Sequence, residues 1–129
     1  PFERVGAPWI EPRAFAAALH GLGLPGVRFT PIRFTPAERQ HAGTPCGGVF
    51  LAITDRDAFE PVGLGIGLAC VLRAEFGNDW EPDGLLKLLA HRASYRAVLD
   101  GRGPAEVAAG WQAGLDDFLR RRRRHLLYE

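Results

Sequence analysis

The sequence holds no methionine, a single serine (Ser94), a single lysine (Lys87) and two cysteines, Cys46 and Cys70. Each scarcity excludes something. One serine, outside any G-x-S-x-G context, leaves no serine-nucleophile motif. Two well-separated cysteines make neither a disulfide framework nor a zinc ligand set, and Cys70, inside an apolar helical pattern, reads as a small buried hydrophobe. The apolar runs all fall short of the ~18 residues a membrane span needs, and no signal segment opens the chain. Because it opens on Pro1 and lacks methionine, the chain is expected to be a portion of a longer polypeptide. An excess of either charge is lacking too. With 16 basic and 15 acidic residues the net charge is +1, too little to steer nucleic acid or membrane by a global field.

What is present suits one domain. A chain of 129 residues, 47% hydrophobic and 24% charged, can bury a single core unaided. Glu11-Pro12 reads as the N-cap and first residue of a helix, with Phe15, Leu19 and Leu22 at helical spacing and Gly23 closing it. His20 falls on the surface of that helix. Two β-prone runs follow, Val27–Phe34 and Val49–Thr54. Pro31 makes the first an edge strand, a bulged strand or a split one, whereas the second is apolar on both faces and suits a central position. Gly47-Gly48 ahead of it permits a bulge or a close backbone approach. Pro1–Trp9 is expected to be extended or looped, Gly6 and Pro8 forbidding regular structure there, and a third strand is expected in the N-terminal segment or the tail.

Pro61–Phe76 is apolar all round and reads as a buried helix. Its Gly63, Gly65 and Gly67 lack the spacing and strand context of a dinucleotide loop and suit close helix packing instead. Trp80 anchors a polar turn at a core edge. Leu85–Ala90 and Tyr95–Leu99 form short helices, and Pro104 opens a last helix whose Val107, Trp111, Leu115 and Phe118 form a core-facing stripe. The expected class is α+β: a small antiparallel or mixed sheet of about three strands, packed with about four to five helices in a single domain.

Chemistry is sparse. Arg120–Arg124 could bind phosphates, but at a helix C-terminus, with Asp116 and Asp117 placed for i,i+4 pairing, a solvated helix end is favoured. Cys46 and His41 could form a thiolate–imidazole pair, yet a structural cysteine at a strand start is favoured. Glycoside hydrolysis needs two carboxyl groups about 5–10 Å apart. Glu3, Glu38, Asp55, Asp57 and Glu60 are candidates, but none forms a convincing pair, and Asp55-Arg56-Asp57 reads better as a helix cap paired with Arg56. The polar loop between the β runs, about 12 residues, is long enough to suggest function.

Four phrases carry a resemblance: PFERVGAPWI, LGLPGVRFTPIRFTP, HAGTPCGGVFLAITDRDAFEPV, and the close Trp111, Phe118, arginine run, Leu126-Leu127-Tyr128. In this order they resemble the C-terminal domain of the DUF1343 family, the NamZ-type peptidoglycan exo-β-N-acetylmuramidases. The likeness spans nearly the whole chain, and its PGVxFxPxxFTP and CxGVxxxxTDRxAFxPV patterns are specific. The resemblance implies a two-part bacterial enzyme, exported or associated with the cell envelope. An N-terminal Rossmann-like catalytic portion would precede this domain, residues 1–129, with the active site in the crevice between the two. It implies no metal or nucleotide cofactor, no catalytic residue in this chain, and no hydrolysis by the chain alone. The partners implied are that catalytic portion and a muramic-acid-containing glycan or muropeptide.

By resemblance, Thr35, Gln40, His41, Gly43 and Cys46 match the family's loop phrase, and the substrate-facing candidates are Thr35, Gln40, His41 and Cys46, with Arg39 added as a neighbour. The family phrase has lysine where this chain has Gln40; that change weakens any charge pairing with a lactyl carboxylate, and Arg39 stands beside it as a substitute. Phe2, Glu3 and Trp9 fall at the expected domain interface. The loop meeting sugar and the loop packing on the neighbouring domain both remain open, as does a carbohydrate- or protein-binding module with no share in catalysis.

Overall fold

The computed structural model describes residues 3–128. Arg4–Ala7 is strand β1, Val27–Phe34 is β2 and Cys46–Ile53 is β3. They form one antiparallel sheet in the order β1-β3-β2, with Val5 opposite Val49 on one side and Phe29 opposite Leu51 on the other. The central strand is therefore the run with two apolar faces. Pro31 sits in the edge strand β2, which pairs with β3 residue for residue through it, so the edge alternative holds and the strand is neither bulged nor split.

The third strand lies in the N-terminal segment, and Gly6, expected to break regular structure, is part of it. Gly6 faces Gly48, and Ala7 faces Gly47. A Cβ on Gly48 would strike the Val5 carbonyl, and one on Gly47 the Ile10 carbonyl. The close approach expected of Gly47-Gly48 thus occurs inside β3 rather than ahead of it.

Helix α1, Pro12–Gly21, is capped by Glu11, whose Oε2 accepts from the Ala14 amide at 2.6 Å. That contact first, and the Arg13 amide next, hold the Glu11 carboxyl below its ordinary range. The helix ends as read, with Gly23 left-handed at φ 63°. Its Phe15, Ala16 and Leu19 are buried with Val27, Phe29 and Val49 of the sheet and Val71 of the next helix. His20 does more than cover the surface: its Nε2 accepts from the Phe29 amide at 3.3 Å and its ring meets the Phe29 ring edge-on. That bond ties α1 to β2.

Helix α2, Pro61–Phe76, explains its own apolar circumference. One side, through Val71 and its half-buried neighbours Leu68, Leu72 and Phe76, closes the core under α1 and the sheet. The other, through Ile66, Ala69 and Cys70, builds a second core with Val98 and Val107. Burial pushes the Cys70 thiol up from its ordinary range, and both cysteines are free. Of the three helix glycines only Gly67 is closely packed, against Leu22 and Leu24, while Gly65 faces open space.

Among the described residues four further helices complete the fold: α3 Asp83–Leu89, α4 Arg92–Leu99, α5 Pro104–Ala109 and α6 Gln112–Arg122, followed by a 3-10 turn, Arg123–His125. One helix more than expected arises because the last helical stretch breaks. Gly110 and Trp111 donate to carbonyls three residues back, Val107 and Ala108, tightening and ending α5. The break also corrects the stripe. Val107 is buried and Trp111 packs on the second core, but Leu115 and Phe118 are 41% and 52% exposed.

Candidate functional site

The loop between β2 and β3 is tied to itself and strained. The Gly43 amide donates to the Pro36 carbonyl at 2.9 Å and the Thr44 amide to the His41 carbonyl at 3.0 Å. Arg39 and His41 are left-handed at φ 64° and 63°, and Gly43 at φ 73°. A non-glycine residue costs about 1–2 kcal/mol in that conformation, so two within three positions are an uncommon concentration of strain, of the kind found at binding sites. Between them stands Gln40. The strained backbone presents Gln40 and His41 to a cleft of ≈ 320 Å³ whose lining includes Trp9, Leu72, Asp79, Trp80 and Glu81.

The other wall is set by Phe76 at the end of α2. Its carbonyl accepts from the Asp79 and Trp80 amides, each at 2.9 Å. Its ring lies 5.3 Å from the Trp9 ring, centroid to centroid, and 5.9 Å from that of Phe15. Trp80 also packs on the second core. Two half-buried tryptophans are thus held from behind, which leaves their remaining surface preformed for a flat, amphipathic ligand.

Of the substrate-facing positions expected from the sequence, Gln40 and His41 reach this cleft and share it with Trp9. Thr35 and Arg39 are exposed and lie outside its lining. Cys46 is 2% exposed, its Sγ donates to the Thr44 carbonyl at 3.4 Å rather than to His41, and it lies outside the cleft's lining. Glu3, at the far end of β1 from Trp9, lines a different hollow with Val27, Arg56 and Phe59. Phe2 lies outside the described residues. Trp80, Asp79 and Glu81 were not among the expected site residues. Their signal is an aromatic between two acids in the turn after a buried helix.

The other constellations resolve as structure. Asp55 accepts from the Asp57 and Ala58 amides at 2.9 and 3.2 Å, so it fixes its own turn and does not cap α2, whose N-cap Glu60 makes no side-chain bond. Asp117 pairs with both Arg120, at 3.1 Å, and Arg121, at 3.0 Å, while Asp116 accepts from Gln112. These pairs are exposed and contribute little. Ser94 does meet a histidine, His91, at 2.7 Å, but the same His91 Nδ1 accepts from the Ser94 amide and caps α4. Among the described residues no group of three His, Cys, Asp or Glu is placed to hold a metal ion, and no helix is long and apolar enough to cross a membrane.

Residues 1–128 match the family model described as "Exo-beta-N-acetylmuramidase NamZ, C-terminal". The chain belongs to this family. It is 34% identical over 131 residues to the peptidoglycan β-N-acetylmuramidase NamZ of Bacillus subtilis strain 168, a match covering 99% of the chain and 32% of that protein. Its fold is similar to that of a DUF1343 family protein from Bacteroides fragilis NCTC 9343, with a TM-score of 0.65 at 22% identity, over 100% of this chain and 36% of that one. The chain spans about a third of the length of each of these relatives.

Proposed function

We propose that this chain, residues 1–129, is the accessory domain of a longer peptidoglycan exo-β-N-acetylmuramidase and forms one wall of its substrate crevice. A preceding Rossmann-like portion supplies the bond-breaking groups and the opposite wall. In this arrangement Trp9, Gln40, His41 and Trp80 face a muramic-acid-containing glycan. The observation that carries the proposal is the convergence of three separate segments on one cleft: the end of β1, the strained loop and the turn after α2.

The chemistry fits a binding wall better than a reaction centre. The cleft's acids, Asp79 and Glu81, stand either side of Trp80 in a single turn, whereas glycosidic cleavage uses carboxyl groups flanking the scissile bond. A chromogenic β-N-acetylmuramide offered to this chain alone gives no turnover, and adding the preceding portion in trans restores it. Turnover by the chain alone would refute the division of labour.

A further inference from the structure

The cleft is charged on one side of the scale only. Asp79 and Glu81 line it, and no arginine or lysine does, although the chain carries 16 basic residues. Neither acid forms a direct ion pair: the side-chain ion pairs among the described residues are those of Asp117 with Arg120 and Arg121, and one arginine, Arg73, shares a separate hollow with Asp79 outside the cleft. Two exposed carboxylates beside two tryptophans therefore define what can sit there. Ionised carboxylates are strong acceptors for hydroxyl donors, and they repel a ligand's own carboxylate.

We infer that this cleft takes a neutral N-acetylhexosamine ring and disfavours a ring bearing a lactyl carboxylate. Asp79 and Glu81 accept from the ring hydroxyls while Trp9 or Trp80 covers its apolar face. This rests on the cleft facing glycan, as proposed above, and deepens it. In a glycan carrying both kinds of ring, the muramyl unit occupies the neighbouring position and its carboxylate is met by groups elsewhere. At separations of about 6–8 Å in a water-like medium, two like charges together disfavour the anionic ring by about three- to tenfold at low ionic strength, fading as salt screens them.

The three tryptophans supply the test. In nitrogen-15 NMR spectra of this chain, Trp9 and Trp80 report on the cleft, and Trp111, which lies outside its lining, serves as control. Titration with N-acetylglucosamine should shift the Trp9 and Trp80 indole signals at about three- to tenfold lower concentration than N-acetylmuramic acid does, with Trp111 still. The exposed pair Asp79→Asn/Glu81→Gln should bring the two sugars within about twofold of each other. Equal or tighter binding of the acidic sugar by the unsubstituted chain, or a preference unchanged in the variant, would overturn the inference while leaving a glycan-facing cleft intact. Silence of both cleft indoles toward both sugars would overturn the cleft's glycan role along with it.

Discussion

Trp9 and Phe76 lie with ring centroids 5.3 Å apart and planes inclined at 46°. One belongs to the segment leaving β1 and the other ends α2, so their contact fixes the cleft wall to the main core. Phe76 is also where the turn bearing Asp79 and Trp80 is hydrogen-bonded. Replacing it with alanine should cost about 1–3 kcal/mol and also loosen Trp9. Thermal unfolding measures the first, and broadening of the Trp9 indole signal the second. A destabilised variant whose Trp9 signal is unchanged would mean that Trp9 is held by something else.

The left-handed loop predicts opposite signs for two substitutions. Gly43→Ala meets no atom within 4 Å, so its cost is conformational alone, about 1–2 kcal/mol. Arg39→Gly relieves strain at φ 64° and should be neutral or stabilising by up to about 1 kcal/mol, the relief being partly offset by unfolded-state entropy. Urea unfolding of both variants gives the comparison.

Much of the fold was legible because the local signals were strong. Glu11-Pro12 and Gly23 mark the limits of α1, and the two-faced apolar pattern of β3 marks the centre of the sheet. Gly6 and the C-terminal stripe misled for one reason. A glycine suits a strand when the partner backbone comes so close that no side chain fits, and helical spacing at Leu115 and Phe118 says nothing about whether a neighbour is there to cover them. The cleft was half legible: Gln40 and His41 stood in a conspicuous loop, but Trp80 lies about 40 positions away. Its arrival beside Trp9 depends on how α2 packs against α1, which no local pattern encodes.

That difference in cover sets a packing contrast. Leu19 is fully buried, and Leu19→Ala should cost about 2–5 kcal/mol. Phe118, 52% exposed, should tolerate Phe118→Ser within about 0.5 kcal/mol in this chain. Chemical denaturation of the pair decides whether α6 packs on the domain in solution, since a large loss at Phe118 would show that it does.

The Glu11 cap gives a pH dependence with a definite sign. Its carboxyl is held below its ordinary range in the folded chain by the Ala14 and Arg13 amides. The stability it contributes is therefore fully present above the unfolded value, about 4.3, and is lost as pH falls through the lower, folded one. Unfolding measured between pH 7 and pH 2 should show a shallower acid loss in Glu11→Gln than in the parent. Parallel curves would contradict the cap.

The most direct test of the crevice uses the proposed longer muramidase carrying Gln40→Ala together with His41→Ala, assayed on a small disaccharide of one muramyl and one N-acetylglucosamine unit. If this domain walls the substrate site, kcat/KM on that small substrate falls at least about tenfold, equivalent to about 1.4 kcal/mol of lost transition-state binding. Unchanged kcat/KM on the small substrate, with loss confined to polymeric peptidoglycan, would contradict it and make the domain a targeting module.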